Sequence, residues 1–477
     1  MDMQHNDAPR TTNLRRRPRS KLQIFKEAYL PTVILAVTIV LIIVFIIGAA
    51  VSGDPKPGPD PSGSTPPVGT TSTPPTPPPT TTSSANYDQE AADLLARAQA
   101  LALDYDYEGA MALLDTFTGD AANYPELGKA YNEYSETLKS MVSWKAGDVV
   151  NLSFHLLIAD PSRAFTDAEY GSSYKRNFIT VDEFKAILQQ LYDNGYVLVG
   201  LDHFYSQEYN ASSGRYVFTE TELLLPAGKT PVMLTETNAN YYTYMTDSNG
   251  DGKPDAGADG FACRLCHDDN GFYNEIVNAD GSVSTGAYDM VPLLEDFIAE
   301  NPDFSYKGAR AIVAFTGYDG VLGYRINATR LGADALQAER DGAAAIVEAL
   351  KNGGYDLACF TYANVNFNNL SASDVQADIQ KWLDNIAPWI GNLDILVYAK
   401  DIDIAGSEGY SGNSKFNVLY NAGFTYYLGV GNSAWNQVDD LYVRHNRLVI
   451  TGYNLQNNPS LYTGLFDPAA VLDSARN

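Results

Sequence analysis

The chain has 477 residues and a formal net charge of −26, with 58 acidic side chains against 32 Lys and Arg. A negative field of this size disfavours nucleic acid and anionic lipid surfaces as partners. It is typical of a well-solvated extracellular domain, and it specifies no function beyond that.

The N-terminal residues have the pattern of a membrane anchor. Residues 30–51 are almost wholly apolar and uncharged, which is the length that a helix needs to cross a hydrocarbon core of about 30 Å. Residues 1–29 form a basic tail, so the positive-inside rule predicts a cytoplasmic N-terminus and an extracellular remainder. A cleaved signal peptide is the alternative. The lengths of the apolar run and of the basic region favour one uncleaved helix in the cell membrane.

Two segments follow the predicted membrane helix. Residues 52–86 consist mainly of Pro, Thr, Ser and Gly, a composition that buries too little surface to fold and predicts a disordered linker. Residues 87–145 place apolar side chains at three- and four-residue spacing, which predicts an α-helical hairpin. Packing against the next domain and binding of a separate partner are both open roles for this hairpin.

Residues 148–470 alternate short β-type runs with amphipathic helices. The predicted strands are 149–154, 196–199, 230–234, 311–315, 357–360, 395–397 and 424–427. The predicted helices are 181–194, 288–300, 331–352 and 372–390. This alternation predicts an α/β fold, and the length suits a (β/α) barrel with loop insertions.

Several motifs of this region occur in a telling order. They are Phe154-His155-Leu156-Leu157, Ile179-Thr180-Val181-Asp182-Glu183-Phe184, Leu225-Pro226-Ala227-Gly228-Lys229 and Asn352-Gly353-Gly354-Tyr355-Asp356-Leu357-Ala358. In this order they resemble the polysaccharide deacetylase family, also called the NodB-homology or carbohydrate esterase 4 family. The resemblance implies a distorted (β/α) barrel. For active members it also implies a divalent metal held by one Asp and two His, with a second Asp as the base.

The positions that carry this chemistry are substituted here. The family motif T-F-D-D-G aligns so that its two aspartates become Thr237 and Asn238, and the two His of H-x-x-x-H become Phe360 and Asn364. Phe cannot coordinate a metal, and a neutral amide is a weak ligand for zinc, cobalt or nickel. We therefore expect a pseudoenzyme without a transition metal. Glu236, beside the lost pair, is the candidate for a substitute base or ligand.

Residues 247–255 have the spacing of an extracellular calcium loop. Its candidate ligands are Asp247, Asn249, Asp251, Lys253 and Asp255, with a turn glycine at the sixth position. The bidentate Glu of an EF-hand is absent, because Ala258 stands in that place. The sequence predicts weak calcium binding, and an acidic turn that binds nothing is the alternative.

Cysteine and tyrosine residues provide the remaining signals. Cys263-Arg264-Leu265-Cys266-His267 matches the haem signature C-x-x-C-H, which we interpret as a chance match, and a Cys263–Cys266 disulfide is compatible with an oxidising exterior. Tyr241, Tyr242 and Tyr362 flank the former catalytic groove and are the candidates for stacking on sugar rings.

Three functions fit these patterns. The favoured one is non-catalytic binding of cell-wall or capsular glycan by a membrane-anchored barrel, or a scaffolding role in the envelope. An active but diverged metal-dependent glycan deacetylase is the second. A module for contacts with envelope proteins is the third.

Overall fold

Seven parallel strands pair in a closed ring in the computed structural model, which describes residues 84–246, 255 and 259–476. The strands are β1 (Val150–His155), β2 (Thr230–Thr237), β3 (Ile312–Phe315), β4 (Asp356–Cys359), β5 (Ile395–Val397), β6 (Tyr426–Val430) and β7 (Val443–Val449). Each strand pairs with the next one along the chain, and β7 pairs with β1 to close the ring. The predicted parallel (β/α) barrel is therefore confirmed.

Six barrel strands lie where the sequence predicts them. The predicted strand at 196–199 is instead a side strand, Tyr196–Leu198, which pairs with the start of β2 outside the ring. The seventh barrel strand, β7, was not predicted. Its inward-facing side chains include His445 and Arg447, both fully buried, and these polar residues interrupt the apolar pattern that identifies a core strand.

Helices cover the outer face of the ring. The main ones are α1 (Ser84–Leu103), α2 (Tyr107–Leu114), α3 (Pro125–Lys139), α4 (Val181–Asp193), α5 (Met290–Glu300), α6 (Ala333–Asn352), α7 (Ala372–Asn385) and α8 (Ser414–Ala422). Helices α4 to α8 pack on the barrel, and a capping box between Thr180 and Glu183 begins α4. No helix of the described ranges is long and apolar enough to span a membrane. The predicted membrane helix, 30–51, and most of the predicted linker, 52–86, lie outside those ranges.

Two loops carry additional β-structure. Between β1 and β2, a hairpin formed by Tyr205–Asn210 and Arg215–Glu220 projects from the barrel. Between β2 and β3, Arg264–Asp268, Gly271–Val277 and Val283–Gly286 form a three-stranded antiparallel sheet. Cys263 and Cys266 lie at this sheet as free buried thiols. The two cysteines are three positions apart in extended chain, so their Cα atoms lie about 10 Å apart, which is too far for the disulfide considered from the sequence.

Side chains of each barrel strand alternate between two cores. On β2, Met233 packs in the barrel interior with Phe360 and Leu428, whereas Leu234 packs outward among the helices. Thr235 faces inward and donates a hydrogen bond to Asn151 Oδ1 at 2.8 Å. The next inward position is Thr237, so Glu236 faces outward. This alternation decides which candidate site residues can reach the barrel mouth.

Three helices, rather than a two-helix hairpin, precede the barrel. A small core that includes Ala98, Ala110 and Leu127 joins α1, α2 and α3. Tyr105, between α1 and α2, donates a hydrogen bond to the Asp303 carbonyl at 2.5 Å, and its ring lies 5.6 Å from that of Tyr306. The helical unit therefore packs against the barrel, which is one of the two roles that the sequence left open for it.

A buried ion pair joins the C-terminal residues to α4. Glu183 and Arg476 are both almost fully buried, with Arg476 Nη2 2.7 Å from Glu183 Oε2. Arg476 also donates hydrogen bonds to the carbonyl oxygens of Lys175 and Phe178. Both carboxylate oxygens of Glu183 and all three guanidinium nitrogens of Arg476 thus have hydrogen-bond partners within the protein.

We predict that Arg476→Met lowers the free energy of unfolding by about 3–5 kcal/mol, because it leaves the Glu183 carboxylate buried without its partner. Urea denaturation followed by circular dichroism measures this loss. Lys139→Met, which removes the exposed Lys139–Glu136 pair, is the matched control and should leave the midpoint unchanged. Equal midpoints for the two variants would contradict the prediction.

Candidate functional site

The carboxyl ends of the barrel strands bring the substituted motif positions together. Thr237 is the last residue of β2, and its Oγ1 lies 2.8 Å from Nδ1 of His155, the last residue of β1. Asn238 follows, and its Oδ1 accepts a hydrogen bond from Asn364 Nδ2 at 3.3 Å. Three of the four motif positions read from the sequence therefore share one end of the barrel.

Phe360, the fourth motif position, does not reach this mouth. Its side chain is 2% exposed and fills the barrel interior, while its backbone N–H donates to the Phe315 carbonyl at 2.9 Å. An aromatic ring here serves as packing between strands. The side chain at the position of the motif's first histidine therefore does not reach the mouth.

The residues at the mouth do not suit a divalent metal. Asn238 Oδ1, the oxygen that replaces the family's metal-binding carboxylate, already accepts from Tyr242 O–H at 3.0 Å and from Asn364 Nδ2. A cation at this oxygen would meet the hydrogens of both donors, and Thr237 adds only a neutral hydroxyl. Within residues 84–246 and 259–476, His, Cys, Asp and Glu form no group of three that could hold a metal. The expectation of no transition metal stays a prediction.

His155 is a partly buried imidazole at the base of the mouth. Burial lowers its pKa, the charge of Asp401 opposes this effect, and the charges of Arg447 and Lys400 add to the lowering. The imidazole is therefore neutral at neutral pH. Arg447 lies inside the barrel, where it donates to Ser153 Oγ at 2.8 Å and pairs with Asp401 at 3.4 Å.

Glu236 lies on the opposite face of its strand from this mouth. Its carboxyl group is buried beside Asp289, the N-cap of α5, and neither Glu236 Oε1 nor Asp289 Oδ2 has a hydrogen-bond partner among the described residues. Asp289 Oδ1 also accepts from the backbone N–H groups of Leu157 and Met290, both at 2.9 Å. Glu236 is thus not placed to act as the substitute base or ligand considered from the sequence.

Two of the three candidate tyrosines are also buried. Tyr241 is 2% exposed, and its hydroxyl accepts a hydrogen bond from Asn274 Nδ2 at 3.0 Å in the core. Tyr242 is 6% exposed and contacts Thr316 Oγ1 at 3.1 Å besides Asn238. The Tyr241 ring offers no face to a sugar, and the Tyr242 ring borders only a small cavity beside His155. Tyr362 is partly exposed and is the one candidate of the three that lines an open groove.

Sequence reasoning missed two other tyrosines of this groove. Tyr318 is 59% exposed and Tyr244 is 42% exposed, and with Tyr362 they line a groove of about 580 Å³. The Tyr244 ring stacks on that of Tyr242, with centroids 5.8 Å apart. Tyr318 lies between two glycines directly after a predicted strand, and this position in a loop was the available signal.

One buried side chain holds the groove loop in place. Asn240 is fully buried, and its Nδ2 donates to the carbonyl oxygens of Thr316 and Gly320 at 2.9 and 2.7 Å. Its Oδ1 accepts from the Thr316 N–H at 2.8 Å. Tyr318 N–H in turn donates to the Tyr362 carbonyl at 2.7 Å. These bonds fix the relative positions of the two loops that present Tyr318 and Tyr362.

The loops of the mouth are conformationally strained. Eight non-glycine residues after β2, β3, β4 and β5 have positive φ, namely Asn238, Tyr241, Asp319, Leu322, Thr361, Asn364, Lys400 and Asp401. Such conformations cost of order 1 kcal/mol each and gather at functional sites. The strain therefore marks this end of the barrel as the candidate binding site.

The candidate calcium loop is not tested by this geometry. Asp247, Asn249, Asp251 and Lys253 lie outside the described residues, and Asp255 alone is described. The backbone N–H of Asp255 donates to the Thr246 carbonyl at 2.7 Å. Thr246, two positions after Tyr244, is the last described residue before the candidate loop, and calcium binding stays a prediction.

Comparison with models of known protein families gives no match, and comparison with curated protein sequences gives none either. Among solved structures, the chain is similar to a Streptococcus pyogenes deacetylase, PplD, determined in complex with acetate. The TM-score is 0.33 at 13% sequence identity, over 68% of this chain and 98% of the other. The barrel assignment rests on the strand pairing of this chain alone.

The Glu236–Asp289 pair generates a pH prediction. Burial and the neighbouring Asp289 charge raise the pKa of Glu236 well above its usual range, and burial raises that of Asp289 to about 6. Folding therefore favours the protonated form of the pair. The contribution of the pair to the free energy of unfolding is present at low pH and is lost as the pH rises through the two raised pKa values. Glu236→Gln keeps a hydrogen-bond donor towards Asp289 without a titrating proton.

We expect the free energy of unfolding of Glu236→Gln to depend less on pH than that of the native chain between about pH 4.5 and 8, as measured by urea denaturation. Asp269→Asn, which changes an exposed carboxylate, is the control and should keep the native slope. Parallel curves for the native chain and Glu236→Gln would refute the raised pKa of Glu236.

Proposed function

We propose that this protein is a diverged, non-catalytic relative of the polysaccharide deacetylases that binds glycan outside the cell membrane. The observation that carries the proposal is the set of accessible tyrosines, Tyr244, Tyr318 and Tyr362, around one groove at the carboxyl end of the barrel. Sugar rings have apolar C–H faces that pack on aromatic faces, while polar groups at the rim fix their orientation.

The polar groups that line the groove include neutral amides and hydroxyls beside the charged side chains of Asp319, Arg325 and Arg330. Asn327 and Thr329 line the groove beside the tyrosines, and such groups both donate to and accept from sugar hydroxyls. The Asn240 hydrogen bonds hold the groove loops before a ligand arrives, so that binding requires little ordering. Both features support recognition of a carbohydrate rather than of an apolar ligand.

The residues described at the mouth include no carboxylate at the position of the catalytic base, which supports a non-catalytic function. Hydrolysis of an acetyl group needs a base that activates water and a group that stabilises the oxyanion. Thr237 replaces the family base, and Glu236 is turned away from the mouth against Asp289. His155 remains at the mouth, but its contacts with Thr237 and Asn238 are with neutral partners, unlike the carboxylate that orients a catalytic imidazole.

The location of the protein is part of the proposal. The sequence of residues 1–51 supports a single membrane helix with a cytoplasmic N-terminus, and residues 52–86 support a linker that carries the barrel away from the bilayer. A cell-wall or capsular glycan is then the nearest polymer. An envelope protein at the same groove is the alternative that the experiments below separate.

We predict that Tyr318→Ala and Tyr362→Ala each weaken binding of the full chain to its cell-wall glycan by about 5- to 30-fold, the loss of one aromatic contact of about 1–2 kcal/mol. Purified full-length protein in detergent, titrated with solubilised wall and capsular polysaccharides by calorimetry, gives the affinities. The double variant should bind below detection.

Tyr209→Ala is the matched control, because Tyr209 is 61% exposed on the hairpin and lines neither groove nor mouth. It should bind like the native chain. If the native protein binds no glycan fraction but retains envelope proteins through the same tyrosines, the carbohydrate proposal is wrong and the protein-contact alternative replaces it.

We further predict that the full chain releases no acetate above the enzyme-free rate from N- or O-acetylated glycans, with zinc, cobalt or nickel supplied. The reason is the neutral set formed by Thr237, Asn238 and Asn364, which offers neither a base nor a charged ligand. Enzymatic acetate detection provides the measurement. Stoichiometric or greater release that disappears in His155→Ala would establish a diverged deacetylase instead.

A further inference from the structure

A second cavity adjoins the tyrosine groove on the other side of Tyr244. This cleft has a volume of about 230 Å³ and lies directly over the substituted motif positions. Its polar lining includes His155, Asn238, Asn364 and Lys400, and Leu156 and Phe178 supply apolar wall. A cavity of this size admits one sugar residue or less, so it can read a single substituent of a glycan that lies in the groove.

The charges of the cleft differ from those of the whole chain. The chain has 58 acidic side chains against 32 Lys and Arg, yet no Asp or Glu is among the described residues that line the cleft. Lys400 is the one lining residue with a full charge, since His155 is neutral at neutral pH. The cleft is therefore a small positive site on a strongly negative protein.

The backbone holds Lys400 at the cleft in a strained turn. Lys400 and Asp401 follow β5 with φ of 58° and 62°, a conformation that non-glycine residues rarely adopt. Asp401 turns towards Arg447, with 3.4 Å between its Oδ1 and Arg447 Nη2, rather than towards Lys400. The exposed Lys400 ammonium consequently has no carboxylate partner within the part of the chain that the structure describes.

A second cation lies behind the lining. Arg447 is fully buried, its Nε atom has no hydrogen-bond partner among the described residues, and its partner Asp401 is 43% exposed. Burial is the main reason for the low pKa of His155, and Asp401 opposes it, but both Arg447 and Lys400 add to the lowering. The imidazole thus senses two positive charges from different strands.

We propose that the cleft binds one acidic substituent of a glycan, a carboxylate or a phosphate, against Lys400, while the rest of the glycan lies along the tyrosine groove. This inference rests on the glycan-binding function proposed above. The net charge of −26 repels polyanions at a distance, so the ligand is a neutral glycan with isolated acidic groups rather than a densely charged polymer.

The test compares sugars that differ only in charge. Methyl β-glucuronide carries a carboxylate where methyl β-glucoside carries a hydroxymethyl group, and glucose 6-phosphate provides the phosphate arm. Binding to the full-length protein in detergent is followed through the imidazole NMR signals of histidine-labelled protein, which has five histidines. Assignment of the His155 signal comes from His155→Gln.

We expect an acidic sugar to bind at least tenfold more tightly than the glucoside, and to raise the pKa of His155, because a nearby anion stabilises the imidazolium. Lys400→Met should remove both the preference and the pKa change. Lys307→Met is the matched control, because Lys307 is also an exposed lysine with positive φ and lines neither the groove nor the cleft. It should keep the preference.

The outcomes separate the two proposals. Equal affinities for acidic and neutral sugars, or a preference that survives Lys400→Met, overturn the acidic-substituent inference while the glycan-binding function stands. The inference is also overturned if the polysaccharide binds through Tyr318 and Tyr362 but saturating acidic sugar leaves the His155 signals unchanged. If the native protein binds neither the sugars nor the polysaccharides, both proposals are rejected. Preference for one anion over the other identifies whether a carboxylate or a phosphate is the natural group.

Discussion

The pairing of β7 with β1 is the contact on which the rest of the structure depends. It consists of Leu448 opposite Leu152 and Val449 opposite Ser153, and it turns an open sheet of parallel strands into a ring. Arg447 reinforces the closure from inside through its bond to Ser153 Oγ. Because all seven strands run in parallel, closure gathers every loop that follows a strand at one end. Groove, cleft and strained loops are all consequences of that geometry.

The sequence predicted this architecture well where one physical pattern dominated. Helices α4, α6 and α7 begin within two residues of their predicted starts, because their apolar periodicity and caps agree. Strand β7 was not predicted because its inward-facing arginine and histidine are buried by partners from other segments, Ser153 and Asp401 for Arg447 and the Ala146 carbonyl for His445. Such polar interiors follow from closure, a long-range property that no local window of residues contains.

The candidate site was also predicted only in part, at the residues whose positions are fixed by the strands. Alignment by register correctly grouped Thr237, Asn238 and Asn364, since strand ends fix where those residues must lie. The direction of a side chain in a loop is not fixed by register. Tyr241 and Tyr242 entered the core through bonds to Asn274 and Asn238, whereas Tyr318 faces solvent. Glu236 was misjudged because its neighbour Asp289 lies 53 positions along the chain.

The positive-φ residues at the barrel mouth affect how substitutions there change the stability and the binding of this protein. Replacing left-handed residues with glycine or asparagine, which adopt positive φ at little cost, would release strain held at the mouth. Selection for heat resistance alone would thus favour exchanges at Thr361, Lys400 or Leu322. Of these, only Lys400 lines the cleft, so a stabilising exchange there would also remove the charge proposed to bind an acidic substituent, and binding would be lost before the fold.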